Sequence, residues 1–206
     1  MRTDILNQEQ KSALAILKGN VEVGKFYLAG GTALALHLGH RYSEDFGFFT
    51  EQAFEVETLL RNLQQLGNCQ EVKQSPGTLF LQFETIKCSF IFYKYALLDP
   101  PVISPWDFGI VTIREIGAMK IMAIGGRGKR RDFIDLYFIA RDFGLEKVWQ
   151  DFAVKYASTG YEPYHFMSAL TYFADAELDN MPQMISKVNW KDVKKFFEAE
   201  IKKIAP

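Results

Sequence analysis

Cysteine is scarce: the 206 residues hold two, Cys69 and Cys88. Their spacing matches no metal-ligand pattern and two thiols build no disulfide framework, so a reducing cytoplasm is the compartment that fits best. A charge excess is also missing, since 24 Lys and Arg stand against 25 Asp and Glu for a net charge of −1. No global basic field recruits nucleic acid, and any such contact must come from a local patch. No apolar run approaches the ~20 residues that a membrane span needs. The polar start, Met1-Arg2-Thr3-Asp4, is unlike a signal peptide. Internal repeats and low-complexity linkers are absent. So is any Ser/His/Asp or Cys/His order suited to nucleophilic work, and the three histidines, His37, His40 and His165, read as packing or turn residues.

What is present is material for a core. Hydrophobic residues make up 48% of the chain, with 18 Phe and 9 Tyr. The length suits one medium domain or two small ones closely packed. Helical spacing covers 7–18, with Leu14, Ile16 and Leu17 near one face. Lys25 to Ala29 reads as a strand ended by Gly30-Gly31, followed by a short helix from Thr32 to Leu38 that Gly39 stops. Asp45 to Phe49 reads as a second strand, and 55–66 as an amphipathic helix. After the Ser75-Pro76-Gly77 turn, runs 78–84 and 87–93 read as a hairpin closed near Thr85-Ile86. Pro100, Pro101 and Pro105 place a crossover at 99–105. Beyond it the pattern is helical over 113–124, 131–142, 145–157, 162–174 and 189–204. The plan is α+β: a mixed sheet with flanking helices over 1–98, then a helical part over 99–206 packed on that core.

One constellation carries chemistry. Leu28-Ala29-Gly30-Gly31-Thr32 is followed by Gly39-His40-Arg41-Tyr42-Ser43-Glu44-Asp45-Phe46-Gly47-Phe48-Phe49. A Gly-Gly turn lets backbone approach a ligand with no Cβ in the way. Amide N–H groups at the start of the next helix favour a phosphate. The chain then returns as a strand carrying Asp45, and a carboxylate beside phosphates is where Mg²⁺ sits. A second constellation lies in the helical half. Lys120 is on the helix 113–124, Gly125-Gly126 is read as breaking that helix, and Arg127, Lys129, Arg130 and Arg131 follow beside Asp132 and Asp135. This loop is the one locally basic stretch and suits phosphate contacts. The two aspartates, three apart at a helix start, can share a face.

These segments, in this order, resemble the AbiEii/AbiGii toxin family of the nucleotidyltransferase superfamily. The resemblance rests on Gly30-Gly31-Thr32-Ala33-Leu34, Gly39-His40-Arg41 and Ser43-x-Asp45. It continues through Ala118-Met119-Lys120-x-x-Ala123, the stretch Arg127 to Tyr137, Tyr172-Phe173-x-Asp175-Ala176-Glu177 and Val188-x-Trp190. It implies a nucleotidyltransferase fold and metal-dependent transfer of a nucleotidyl group from an NTP to RNA, tRNA among the acceptors, or to another hydroxyl. It further implies Mg²⁺ or Mn²⁺ as the ion and an antitoxin as partner. On this resemblance Asp45 and Asp132 are the catalytic candidates and Asp45 the metal ligand. The nucleotide-binding candidates are Gly30, Gly31, Thr32, Arg41, Ser43, Lys120, Arg127 and Lys129.

The sequence departs from the family pattern at two positions. The strand that would read acidic-x-acidic reads Asp45-Phe46-Gly47, and Gly47 has no side chain to ligate an ion. Positions 45 and 47 share a strand face, so the missing carboxylate would have stood beside Asp45. Ser89 occupies the place of a third carboxylate, with Glu84 on the preceding strand as a substitute if the hairpin brings it near. Metal binding is therefore in question, and a non-catalytic nucleotide-, RNA- or partner-binding member of the fold is the alternative. Plainer roles stay open for single residues. Asp45 can pair with Arg41, Lys120 can snorkel at the surface, Asp132 can serve the helix dipole, and the basic loop can be a solvated loop.

Overall fold

The structure, a computed structural model, describes residues 1–204. The chain divides into two compact units. The first comprises Met1–Leu38, Tyr42–Ala96 and Pro100–Thr112, and the second Gly39–Arg41, Leu97–Asp99 and the chain from Ile113 onward.

The first unit is a seven-stranded mixed sheet with three helices. Helix α1 (Gln8–Leu17) opens with a capping box, in which the Asn7 side chain accepts from Gln10 N and the Gln10 side chain from Asn7 N. Strand β1 (Tyr27–Ala29) runs directly into α2 (Gly30–Leu38). Then come β2 (Asp45–Thr50), α3 (Val56–Leu66), β3 (Cys69–Ser75), β4 (Thr78–Phe83) and β5 (Ile86–Phe92). Two short strands complete the sheet, β6 (Val102–Ile103) and β7 (Gly109–Ile110). The order is β3-β4-β5-β2-β1-β7-β6. β2 runs parallel to β5 and β1 parallel to β7; the other pairs are antiparallel.

Strand alternation decides which side chains are available for chemistry. On β2, Phe46, Phe48 and Thr50 are buried while Asp45 is exposed and Gly47 and Phe49 are half-buried. On β5, Ile86, Cys88 and Phe90 are buried while Lys87 and Ser89 are not. The buried face is aromatic, with Phe48 stacked on Phe90 at 4.9 Å and edge-on to Phe108 at 5.3 Å. Period-two pleating thus leaves Asp45, Gly47 and Ser89 on the opposite, more open face.

β3 has no counterpart in the sequence reading. It is mostly polar, with Val72 its one aliphatic residue and all but Cys69 exposed, so no apolar alternation announces it. Backbone pairing to β4 makes it a strand, with a bulge between Glu71 and Lys73, and its charged side chains guard the sheet edge. Both cysteines are free thiols.

The second unit is helical: α4 (Ile113–Arg127), α5 (Arg130–Phe143), α6 (Leu145–Lys155), α7 (Pro163–Ala169), α8 (Ala174–Glu177) and α9 (Trp190–Ile204). Phe133 of α5 anchors an aromatic cluster with Phe173, Trp190 and Phe197. Two sequence expectations fail here. Gly125-Gly126 does not break α4, which continues to Arg127 and ends at Gly128, a residue with φ 53° whose N–H donates to Ile124 O. Gly125 serves packing instead, because a Cβ there would lie 2.3 Å from the Phe166 ring. The expected helix 162–174 is two helices, α7 and α8. Between them Thr171 turns both its N–H and its hydroxyl back to Ser168 O, which closes the α7 end locally. No helix among the described residues is long and apolar enough to cross a membrane.

Gly125→Ala should destabilise the chain by roughly 1–3 kcal/mol through overpacking. Phe166 is hemmed in by Phe152, Tyr161 and His165 and has no room to retreat. A thermal melt checks this, and an unchanged midpoint would show that α7 yields freely.

Candidate functional site

The first unit presents the glycine turn and the lone strand carboxylate. β1 ends at Ala29, and Gly30 takes φ 71°, a left-handed conformation that favours glycine. Nothing lies within 4 Å of where its Cβ would be, so the backbone is open to an approaching group. Thr32 and Ser43, two nucleotide-binding candidates, are buried. Thr32 Oγ1 donates to the Asp45 carbonyl and shares a hydrogen bond with Ser43 Oγ, 2.8 Å away. Gln10 Nε2 in turn donates to Ser43 O. These hydroxyls tie the first turn of α2 to the start of β2 and so fix where Asp45 stands.

The register answers where the other carboxylates would be. Gly47 pairs with Ala29 on one side and Ser89 on the other. Asp45 itself pairs with Lys87, so none of Gly47, Ser89 and Lys87 gives it a carboxylate neighbour on this face. The Phe49 ring stands 3.0 Å from the point that a Cβ on Gly47 would occupy. Glu84 does not substitute: it sits in the β4–β5 turn with φ 52°, and its carboxylate accepts from Asn68 N at 2.8 Å, on the β3 side. No group of three or more His, Cys, Asp or Glu among the described residues is arranged to hold a metal ion. Mg²⁺ binds through one or two carboxylates plus substrate phosphates and keeps several waters. Asp45 meets that minimum for a single ion, and its strand neighbours Gly47, Ser89 and Lys87 add no carboxylate.

The second unit holds a buried charge network built by two helix faces. On α4, Lys120 and Arg127 are two turns apart and share a face; on α5, Asp132 and Asp135 are one turn apart and also share a face. Lys120 Nζ lies 2.8 Å from Asp132 Oδ1 and 2.6 Å from Asp135 Oδ2. Arg127 donates twice to Asp132, through Nε at 2.9 Å and Nη2 at 3.1 Å. Arg41 grips Asp135 through Nε at 2.7 Å and Nη2 at 2.8 Å, and His40 Nε2 donates to the same carboxylate at 2.8 Å. His40, Arg41, Lys120, Asp132 and Asp135 are all buried. Three cationic side chains face two carboxylates, and the half-exposed Arg127 is where the surplus reaches solvent.

Burial by itself would raise both aspartate pKa values, but the cations outweigh it. Lys120 and Arg127 hold Asp132 below the usual 3.8. Lys120 and Arg41, with hydrogen bonds from Arg41 and His40, hold Asp135 well below it. Lys120 is thus a pinned interior cation and no snorkelling lysine. Arg41 pairs with Asp135, leaving Asp45 to the exposed end of β2. The basic loop is largely neutralised within its own unit. Lys129 Nζ lies 3.2 Å from Asp179, and Arg130 bonds the Ala176 and Glu177 carbonyls and the Glu177 carboxylate. His40 and Asp135 are the members that sequence reasoning undervalued. Their signals were the His-Arg adjacency and an aspartate one turn beyond Asp132.

Comparison with known proteins points the same way. The family model described as "Nucleotidyl transferase AbiEii toxin, Type IV TA system" matches residues 15–205. An uncharacterized protein of Aquifex aeolicus (strain VF5) is 34% identical over 201 residues, which is 96% of each chain. The solved structure of MenT4, a nucleotidyltransferase toxin of Mycobacterium tuberculosis H37Rv, is similar with a TM-score of 0.52. It is 19% identical, and the match covers 94% of this chain and 82% of that one, a likeness of fold.

Removing one partner from a buried ion pair costs roughly 3–5 kcal/mol. Asp135→Asn should cost about that much in urea unfolding, because it strands Arg41 and Lys120 inside. Asp132→Asn should cost less, because Arg127 can turn to water. The folded pKa values are depressed, so the carboxylates' contribution is full above the unfolded value near 3.8 and is lost as pH falls through the lower folded values. Asp135→Asn should accordingly flatten the acid limb of the stability–pH curve. Equal costs for the two variants, or an unchanged acid limb, would contradict the network's hierarchy.

Proposed function

The chain belongs to the AbiEii nucleotidyltransferase toxin family, and from that premise we propose that it transfers a nucleotidyl group from an NTP to an RNA hydroxyl, tRNA included, at a rate held down by Gly47. The carrying observation is the hydrogen bond from Thr32 to the Asp45 carbonyl. It holds the strand carboxylate beside the glycine turn that opens α2, so one rigid corner offers both helix-start amides and an acid. Amides of Gly30 and Gly31 then receive phosphate oxygens. Asp45 would hold one Mg²⁺ or Mn²⁺, which would supply neutralisation of the developing phosphate charge. The acceptor oxygen attacks the α-phosphorus and pyrophosphate leaves. Thr32 and Ser43 act as positioning residues. In the second unit, the surplus positive charge at Arg127 and the surface cation Lys129 suit phosphate contacts. Arg41 and Lys120 hold Asp132 and Asp135 ionised, with Asp132 the second catalytic candidate. The action is cytoplasmic, under the restraint of a cognate antitoxin.

A second reading has its own observation. Gly47 lacks a ligand and the Phe49 ring crowds the vacated space, which favours a member that binds nucleotide or RNA without transfer.

The test is transfer from each α-labelled NTP, with Mg²⁺ or Mn²⁺, to total cellular RNA and to the protein itself. Wild type should label weakly and Asp45→Ala not at all. Gly47→Asp, alone and with Phe49→Leu to clear the ring, should raise transfer by on the order of 10²-fold, the size of one missing electrostatic stabiliser. NTP binding without label from wild type would establish the second reading. Neither binding nor label, in wild type and in the Gly47→Asp variants, would overturn both.

A further inference from the structure

Two consecutive glycines near the end of α4 have different explanations. A glycine inside a helix costs stability relative to alanine, so each needs a reason. Gly125 has one, the close approach of Phe166. Gly126 has none within the fold: it is exposed, its φ is not positive, and nothing lies within 4 Å of the point its Cβ would occupy. That empty space is part of a pocket of about 380 Å³ within the second unit, a volume in the range of small-ligand sites.

The pocket's chemistry is specific. Gly126 and Arg127 of α4 line one side, and His165, Ser168, Tyr172 and Asp175 line the other. Tyr172 is 59% exposed, a large aromatic surface presented to solvent. His165 Nε2 donates to Gly125 O at 3.0 Å, which sets that imidazole against the end of α4. When ionised, the Asp175 carboxylate can only accept, and the Ser168 hydroxyl accepts as well as donates. Arg127 is the cation on the wall, and its two hydrogen bonds to Asp132 fix the direction of its guanidinium. A flat ring, one carboxylate acceptor and one oriented cation around an open space match a planar heterocycle that carries an amino group and a nearby phosphate.

We propose that this pocket binds a nucleobase with an exocyclic amino group, stacked on Tyr172 and donating to Asp175. Adenine, cytosine and guanine meet that requirement, and uracil does not. The base belongs either to the NTP or to the terminal nucleotide of an RNA acceptor. The proposal rests on the nucleotide reading above and names the base selectivity of that activity.

The experiment measures binding of AMP, CMP, GMP and UMP, and of short oligoribonucleotides ending in each base, to the full chain without metal, by calorimetry. UMP should bind weakest. Tyr172→Ala should weaken every binder roughly tenfold or more, the size of one base–aromatic stack. Asp175→Asn should erase the preference over uracil. Gly126→Leu should block binding while leaving the melting temperature equal or higher, since leucine is the better helix former and the space is open. Selectivity with mononucleotides assigns the pocket to the NTP base, and selectivity only with oligonucleotides assigns it to the acceptor. No binding, equal binding of UMP, or binding that survives Gly126→Leu overturns the proposal. Label transfer that persists through such a failure leaves the transferase reading standing, whereas selective binding without transfer sinks that reading and keeps the pocket.

Discussion

Asp135 carries a charge where no water reaches it, and the helical unit is arranged around that fact. Taking an ion out of water costs several kcal/mol unless partners replace the solvent. Here Lys120 comes from α4, and Arg41 and His40 come from a three-residue segment far away in sequence. That segment, Gly39–Arg41, counts with the helical unit although α2 before it and β2 after it belong to the sheet unit. Its backbone is held as well, with Ile185 N and Ser186 N both donating to His40 O at 2.9 Å. A buried carboxylate thus fastens the segment Gly39–Arg41 within the helical unit.

The proposed chemistry of the first unit turns on the absence of a side chain at Gly47. Gly47 lies between Ala29 and Ser89 in the ladder, so its neighbours across the sheet cannot supply the missing carboxylate. The same register keeps Asp45 at the open end of β2, fastened through its carbonyl to Thr32. On the proposed reading, a strand with one carboxylate and this anchorage keeps the frame for a phosphate and one ion. That is why restoring one carboxylate is informative about the whole corner.

Charge behaves differently inside and at the surface. The basic loop reads in sequence as four cations in five residues, Arg127 to Arg131. Folded, Lys129 and Arg130 face Asp179 and Glu177, and Arg127 faces Asp132. On the proposed reading, Arg127 meets a ligand as a directed guanidinium on the wall of a pocket. Positioned charge of that kind favours selectivity over bulk attraction.

Local pattern alone determined a good deal here. The α+β plan, the strand carrying Asp45, the β4–β5 hairpin and most helices follow from apolar period and turn residues, which act over a few neighbours. The glycine turn and the vacancy at position 47 are likewise legible residue by residue. Tertiary structure alone decided the rest. β3 is mostly polar and is a strand only because β4 offers it a backbone partner. Gly125-Gly126 looks like a helix stop, yet one glycine admits Phe166 and the other opens a pocket, distinctions that depend on a helix forty residues on. Lys120, Arg41 and His40 look like surface or phosphate-seeking groups until Asp135 draws them inward. Pairing, close packing and charge burial are each set by residues distant in the chain, and the order of amino acids around any one position carries no record of them.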